Sequence, residues 1–398
     1  MTTGIHTGRA ARRRPEDELE FSIVIPCLNE VRTLGTCVRK AQASLERLAI
    51  AGEVVVADDG STDGSQAIAE ELGARVVPVA ERGYGSTLSA GIAAARGRYV
   101  IMGDADGTYD FGELGPLVEK LREGHDLVVG NRFRGTIHPG SMPFLHKYLG
   151  NPALSFIGRR LFGTNCGDIY CGLRGFDREK ILSLDLRAIG MEFAVEMVVK
   201  ATLKGLRIAE VPTTLSPDAD ERKRHLRTWR DGWRSLRLLL LYSPRWLFLY
   251  PGLAFLALGL AGMAWLVPGS RTVGGVNFDI RTLLYAELAI IVGLQAVYFF
   301  LTARWFGISE GLVPDEPRLR RIVGVLTPEL GLVAGLLLIA GGLGLSIIAV
   351  AMWNEQEFGD LTYPEVLRIV IPGSTLIVCG MQTVLVSLFL SMLGLRRR

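Results

Sequence analysis

Residues 99–111 read Tyr99-Val100-Ile101-Met102-Gly103-Asp104-Ala105-Asp106-Gly107-Thr108-Tyr109-Asp110-Phe111. Tyr99 to Met102 favour a β-strand, and the run is apolar throughout, as expected where a strand is buried on both faces. Gly103 ends it, and Asp104 and Asp106 follow at once. The segment predicts a strand that presents two carboxylates at its C-terminal edge, the edge at which open α/β sheets bind ligands. Two carboxylates one residue apart can share a hard divalent cation, which can also take diphosphate oxygens as ligands. Alone, an Asp-x-Asp reads more readily as a polar turn. The flanking chain decides between the two.

Upstream, Phe21–Pro26 and Glu53–Ala57 are short apolar runs, and Ala74–Val79 reads as a third strand. Helical spacing fills the gaps. Thr33–Leu48 carries Leu34, Val38, Ala41, Leu45 and Leu48 on one face. Ser65–Leu72 follows Ser61, Thr62 and Asp63, all good N-caps. Thr87–Ala95 follows Gly83-Tyr84-Gly85-Ser86. Downstream, Phe111–Glu123 reads as a helix and Asp126–Gly130 as a strand that leads into Asn131-Arg132-Phe133-Arg134. Strand and helix alternate with short polar connections, which predicts a mainly parallel, doubly wound sheet. The polar clusters Asn29–Glu30, Asp58–Asp63, Asp104–Asp106 and Asn131–Arg132 all follow strands and therefore converge on one edge. No Gly-x-Gly-x-x-Gly follows the first strand and no Gly-x-x-x-x-Gly-Lys occurs, which argues against a dinucleotide or P-loop site. Asp58 suits hydrogen bonds from a nucleobase or ribose while a cation takes the diphosphate.

The chain has 398 residues, of which 49% are hydrophobic, and that content is dense only after about Leu236. The net charge of +3 leaves no global basic field, which excludes a nucleic-acid partner. Basic residues are local: Arg12–Arg14, Arg222–Arg237, Arg318–Arg321 and Arg396–Arg398. Five cysteines without zinc spacing read as buried free thiols in a reducing compartment. Residues 1–19 read as a basic flexible arm, with no apolar stretch that would make a signal peptide. His125, His138 and His146 have no paired spacing and read as structural or exposed.

These stretches resemble the family-2 glycosyltransferases of the GT-A fold. The matching pieces are Ile23-Val24-Ile25-Pro26-x-x-Asn29-Glu30, Val55-Val56-x-Asp58-Asp59-Gly60-Ser61-Thr62-Asp63 and Asp104-Ala105-Asp106. Within that family the chain looks like the polyprenyl-phosphate and dolichyl-phosphate sugar synthases. That likeness rests on Gly130-Asn131-Arg132, Asp168-x-x-Cys171-Gly172-Leu173-Arg174-Gly175-Phe176 and Gly190-Met191-Glu192-Phe193-x-x-Glu196-Met197. The resemblance covers about residues 21–240. It implies that Pro26, Glu30 and Asp58 hold the nucleotide, and that Asp104, Ala105 and Asp106 surround a metal and the donor diphosphate. Thr108 stands where some members place a Gln that also reaches the metal. The implied metal is Mg²⁺ or Mn²⁺. Arg132 and Arg174 are then candidates for holding the acceptor phosphate or the sugar, with Asp168 and Glu196 lining the sugar pocket or orienting those arginines. Arg222 and Lys223 fall in a loop that, in such enzymes, closes over the phosphates. Cys171-Gly172-Leu173-Arg174 departs from the usual Ser-Gly-Phe-Arg, so a hydroxyl contact to phosphate is absent. No Gln-x-x-Arg-Trp occurs, which speaks against a processive polymerase.

On this reading residues 20–220 form the GT-A catalytic domain, residues 221–243 an amphipathic juxtamembrane helix and residues 244–398 a transmembrane domain. Leu226, Trp229, Trp233, Leu236 and Leu240 share one helical face, with Arg227, Arg230, Arg234 and Arg237 beside them, as suits a membrane interface. Four apolar segments follow, at about 246–267, 283–303, 330–353 and 369–395, each long enough to span a bilayer. Arg-rich flanks at 222–237, 304–321 and 396–398 place the catalytic domain and C-terminus in the cytoplasm of a cell-membrane protein. Glu287 reads as snorkelling to the outer interface. The expected activity is transfer of one sugar, with inversion, from a nucleotide-diphosphate sugar of the GDP-mannose or UDP-glucose type to polyprenyl or dolichyl monophosphate. Two rivals stay open: a transferase acting on another lipid or elongating a saccharide, and a non-catalytic lipid-carrier translocation partner. A homo-oligomer is left open as well.

Overall fold

The computed structural model describes residues 19–218, 228–309, 328–358 and 363–395. The chain divides into two compact units, Met1–Leu239 and Leu240–Arg398. The first holds a sheet of strands β1 (Phe21–Cys27), β2 (Gly52–Asp58), β3 (Arg75–Pro78), β4 (Tyr99–Met102), β5 (Leu127–Asn131), β6 (Arg174–Asp177) and β7 (Ile208–Pro212) in the order β3-β2-β1-β4-β6-β5-β7. All neighbours are parallel except β6, which runs antiparallel to both β4 and β5. Helices α1 (Leu34–Arg47), α2 (Ser65–Glu71), α3 (Tyr84–Ala94) and α4 (Gly115–Arg122) make the crossovers. The mainly parallel GT-A-type sheet with flanking helices is therefore as the sequence implied, with strand ends shifted by a residue or two. The central strands are buried on both faces: Phe21, Ile23 and Ile25, Val55 and Val56, Val100 to Met102, and Leu127 to Val129 are all essentially inaccessible. Each such side chain stabilises the fold by about 1.5–3 kcal/mol relative to exposure.

Beyond β5 come a π-turn (His146–Gly150) continuous with α5 (Asn151–Phe162), then α6 (Arg178–Leu182), α7 (Phe193–Leu203) and α8 (Thr228–Leu241). The division between the units falls inside α8 rather than after it. Leu239 of α8 is fully buried in the first unit, where it packs on Gly158 of α5.

The second unit contains α9 (Tyr250–Leu266), a short hairpin of β8 (Arg271–Val273) and β9 (Val276–Phe278), α10 (Ile280–Ser309), α11 (Pro328–Asn354) and α12 (Tyr363–Leu395). Among the described residues four helices are long and apolar enough to cross a membrane: Arg245–Leu266, Ile280–Ser309, Glu329–Asn354 and Pro364–Leu393. All four expected spans are present. They pair as two antiparallel hairpins with the same packing device. In α9–α10, Gly252 meets Gly293, and Gly259 meets Ala286, at backbone contact. In α11–α12, Gly335 meets Gly380 and Gly342 meets Gly373. The small residues lie seven apart on every helix, two turns, so they fall on one face and let the backbones touch. Glu287 does not point freely to an interface: Ser374 Oγ on α12 donates to its Oε1 at 2.7 Å.

Candidate active site

The loop after β4 is fixed on three sides. Below it, Cys37 Sγ on α1 donates to Ala105 O at 3.4 Å. Burial, then the nearby Asp106, pushes that thiol up to about 11. Asp106 Oδ1 accepts the Thr108 backbone N–H at 2.9 Å and the Thr108 hydroxyl at 2.7 Å. Gly107, at φ +76°, makes the turn that allows this. Thr108 thus orients Asp106 through its own hydroxyl proton. Asp104 Oδ1 accepts the phenol of Tyr84, at the start of α3, at 2.8 Å. Gly172 closes the other side. A Cβ at Gly172 would stand 2.7 Å from Asp104 Oδ2 and 3.1 Å from the Tyr109 ring. Gly172 N–H donates to Tyr109 Oη at 2.9 Å.

Neither Asp104 nor Asp106 has an ion-pair partner among the described residues. Burial, reinforced by Asp106, raises the Asp104 carboxyl to about 7, while Tyr84, Arg132 and Arg174 pull it back. Asp106 is raised too, chiefly by burial, with Asp218 adding repulsion. Ser216 N–H donates to Thr108 O at 2.9 Å, which lays the chain leading to Asp218 beside the loop. Neighbouring acids without a cationic partner are the donor chemistry of a hard divalent ion. Among the described residues no three His, Cys, Asp or Glu side chains are grouped to enclose a metal. The pair therefore fits a cation that completes its shell with phosphate oxygens and water, as Mg²⁺ commonly does.

The ends of β1 and β2 supply the neighbouring acids. Asp58 Oδ2 accepts Gly60 N–H at 3.0 Å, Ser61 N–H at 2.9 Å and Gln66 Nε2 at 2.5 Å. Asp59 Oδ2 accepts Gly83 N–H at 3.2 Å. The Oδ1 atoms of both are enclosed and take no hydrogen bond from a described residue. A buried acceptor left so costs about 1–3 kcal/mol, which makes this edge complementary to a ligand N–H or O–H. The β1 and β2 loops are stitched together. Asn29, at φ +60°, accepts Thr62 N–H on Oδ1 at 2.8 Å, and Glu30 N–H donates to Ser65 Oγ at 2.9 Å. Thr33 Oγ1 donates to Glu30 Oε2 at 3.2 Å. Pro26 lies one residue from the end of β1, opposite Ala57. A continuous path runs from Asp59 through Gly83 and Tyr84 to Asp104, joining this edge to the Asp104–Asp106 loop.

Arg132 follows β5 and forms a fork with Asp168, Nε to Oδ2 at 2.7 Å and Nη2 to Oδ1 at 2.8 Å; its backbone N–H also reaches Oδ2 at 3.1 Å. Asp168 is wholly buried and Arg132 nearly so. Burial works against the Arg132 charge, yet Tyr109 and Asp168 outweigh it and hold the guanidinium well above its ordinary value. Glu210 on β7 presents the Asp168 loop by accepting Gly167 and Asp168 N–H at 2.6 and 3.1 Å and Asn131 Nδ2 at 3.1 Å.

Two expected contact residues sit elsewhere. Arg174 has no exposed surface; its guanidinium donates to the carbonyls of Cys171 (2.8 Å), Ile169 (2.7 Å) and Ala194. All its nitrogens are used in shaping the loop before β6, so it does not reach for an acceptor phosphate, although its charge is felt at Asp104. Glu196 is likewise buried. It pairs with Lys200 at 2.8 Å and accepts Arg187 and Ala188 N–H at 2.9 and 2.8 Å. It fixes the 187–189 loop, where Ile189 O accepts Gly85 N–H at 2.9 Å, and so supports the turn that carries Tyr84 rather than lining a pocket. Arg222 and Lys223 lie outside the described residues. Tyr84, Tyr109, Asn131 with Glu210, and Asp218 were not among the expected site residues. An aromatic between two glycines at 83–85 was the one sequence signal for Tyr84.

Residues 22–184 match the profile of Glycosyl transferase family 2, and residues 301–394 that of the Glycosyltransferase family 2 C-terminal transmembrane region. The low-salt glycan biosynthesis hexosyltransferase Agl6 of Haloferax volcanii is 35% identical over 377 residues, 94% of this chain and 89% of that protein. The chain is a family-2 glycosyltransferase. This glycosyltransferase is also 28% identical over 204 residues to the dolichyl-phosphate hexose transferase of the same organism, 51% of this chain and 86% of that protein. Among solved structures, glucosyl-3-phosphoglycerate synthase from Mycobacterium tuberculosis, in complex with Mn²⁺, UDP and glucosyl-3-phosphoglycerate, is 23% identical with a TM-score of 0.45, over 56% of this chain and 80% of that one. With its C-terminal transmembrane region and four apolar helices, this transferase is an integral membrane protein.

Proposed function

We propose that this glycosyltransferase moves one hexose from a nucleoside-diphosphate sugar to the phosphate of a polyprenyl or dolichyl monophosphate. The observation that carries the reading is the path from the Asp58 and Asp59 oxygens, through Tyr84, to the Asp104–Asp106 pair, none of which has a cationic partner among the described residues. It offers acceptors for a base or ribose at one end and cation-binding oxygens at the other. The lipid acceptor is supported by the likeness to a dolichyl-phosphate hexose transferase and by the spans.

In this mechanism the acceptor phosphate is already an anion at neutral pH, so its oxygen attacks the anomeric carbon without a strong general base. The bond from that carbon to the diphosphate breaks on the opposite face, which inverts configuration. Asp104 and Asp106 would hold Mg²⁺ or Mn²⁺, which supplies positive charge to the departing diphosphate. Tyr84 and Thr108 keep the two carboxylates aimed, and Asp168 keeps Arg132 charged and oriented beside them. Glu30, Pro26 and Asp58 form the nucleotide edge. The Arg-rich flanks support a cytoplasmic location for this chemistry.

The test supplies membranes containing the full chain with polyprenyl phosphate and a panel of labelled nucleotide sugars. One labelled, phosphate-bearing, organic-soluble product is expected, and it should vanish with a chelator and in Asp106→Asn. A product without phosphate, or with many sugars, would move the acceptor to another lipid or to a growing saccharide. No labelled lipid with any donor would refute the reading.

A further inference from the structure

Between Asp126 and Asp168 the chain has no Asp or Glu, yet it holds Arg132, Arg134, Lys147, Arg159 and Arg160. The same stretch contains the π-turn and α5, which form one continuous helix from Phe144 to Phe162. That helix leaves large apolar side chains in the open. Phe144 is 78% exposed, Tyr148 62%, Leu149 60% and Phe156 59%. Phe144 and Tyr148 are one turn apart and Leu149 and Phe156 two turns apart, so they share a broad face. The opposite face, with Ser155 and Gly158 buried, is the one packed on the protein. Phe144 and Tyr148 rings stand 4.7 Å apart, and Lys147 Nζ lies 5.6 Å over the Tyr148 ring. Arg159 and Arg160 are exposed just beyond.

A soluble enzyme would not leave such a face to water. A protein partner with an acidic groove would suit the charge, but a second observation favours lipid. Gly158 of this helix packs on Leu239 of α8, whose Trp229 and Trp233 are 82% and 60% exposed beside exposed Arg230, Arg234 and Arg237. Two touching helices thus each combine open aromatics with arginine, the composition of segments that lie in the headgroup layer. The chain also matches a C-terminal transmembrane region, and among its described residues four helices are long and apolar enough to cross a bilayer, so a bilayer is its native surroundings.

We propose that the helix from Phe144 to Phe162 is a membrane-surface anchor of the catalytic unit, with Phe144, Tyr148, Leu149 and Phe156 in the acyl boundary and Lys147, Arg159 and Arg160 at anionic headgroups. The anchor is independent of which sugar or acceptor the site takes.

The test places a nitroxide on the full-length protein at Tyr148→Cys, Phe156→Cys and, as an aqueous control on α4, Glu119→Cys. The native cysteines are buried, and the unsubstituted chain gives the labelling blank. In vesicles containing phosphatidylglycerol, collision with oxygen relative to an aqueous nickel chelate should be at least about fivefold higher at 148 and 156 than at 119. The ratio should fall in pure phosphatidylcholine and in the Arg159→Glu/Arg160→Glu background. Equal ratios at all three positions would overturn the proposal. So would a high ratio that persists in detergent and rises with protein concentration, which would make this face a contact between copies.

Discussion

The fork between Arg132 and Asp168 makes a prediction in which stability and catalysis separate. Asp168 is fully buried, and both its oxygens are committed to Arg132. Asp168→Ala leaves a nearly enclosed guanidinium without its hydrogen-bonded carboxylate. Breaking a buried pair from one side costs about 3–5 kcal/mol. For a unit of this size each kcal/mol lowers the midpoint by about 2–4 °C, so a fall of about 6–20 °C is expected. Replacing both partners, in Arg132→Met/Asp168→Leu, removes the stranded charge and should recover most of that loss. It should not recover all, because the Arg132 backbone N–H also donates to Asp168 and stays unpaired, at about 1–3 kcal/mol.

The readout can be local to the catalytic unit. Cys166 and Cys171 flank Asp168 and are inaccessible in the fold. In a Cys379→Ala background, reaction with a thiol-specific dye during heating reports opening of that unit alone. Sugar transfer by the double variant should stay at least about a hundredfold below wild type, since the cation beside Asp104 is gone. Asp168→Ala melting within about 2 °C of wild type would refute the reasoning about a stranded buried charge. Full transfer by the double variant would refute the role given to Arg132.

Tyr84→Phe removes the hydrogen bond that stabilises ionised Asp104, so the acid limb of the pH–rate profile should move to higher pH with the fold intact; an unmoved limb would detach Tyr84 from the site. Asp104 also makes the metal-free protein sensitive to alkali. Its folded value of about 7 exceeds the ordinary aspartate value of 3.8 expected in the unfolded chain, so its contribution is full below about 3.8 and is lost as pH rises through about 7. The melting temperature of the metal-free chain should therefore fall between pH 5 and pH 8, and Mg²⁺ or Asp104→Asn should flatten that fall; a slope unaffected by either would assign it to other groups. Gly172→Ala should lower transfer by about tenfold or more, at a stability cost of about 1–3 kcal/mol, because its methyl would meet Asp104 Oδ2 at 2.7 Å; activity near wild type would show that the loop yields freely. Gly335→Ile should separate α11 from α12, measured as loss of thermal stability in detergent, whereas Gly344→Ile, with nothing within 4 Å, should be silent.

Much of this was legible because the strands are short apolar runs that end in polar residues. Period and punctuation were enough to place β1, β2, β4 and β5, and with them the acids at the sheet edge. The four spans were legible for a similar reason, since length and apolarity alone determine them. β6 was not. Its four residues are Arg174-Gly175-Phe176-Asp177, with a charge at each end, and its strand pairing comes from neighbours far along the chain. The same non-local pairing hid Tyr84 and Glu210, which act through partners 20 residues or more away. β7 was missed because Ile208-Ala209-Glu210-Val211-Pro212 is a half-buried edge strand with little apolar signal.

Arg174 and Glu196 show why a motif residue need not be a contact residue. Charged side chains are expensive to bury, so a sequence reader assigns them to a ligand. Here each is enclosed and answered by backbone: three carbonyls for Arg174, two N–H groups and Lys200 for Glu196. Backbone groups are invisible in a residue pattern, which is why the spacing could not distinguish this use. The consequence is mechanical. Arg174 shapes the 169–171 loop, next to the Gly172 that touches Asp104, and Glu196 shapes the 187–189 loop on which Gly83 and Gly85 rest. Both charges act one layer below the carboxylate pair and hold its two walls. Substituting either should therefore disturb Asp104 through Gly172 or Tyr84, lowering the rate at saturating donor and acceptor more than it weakens the binding of either.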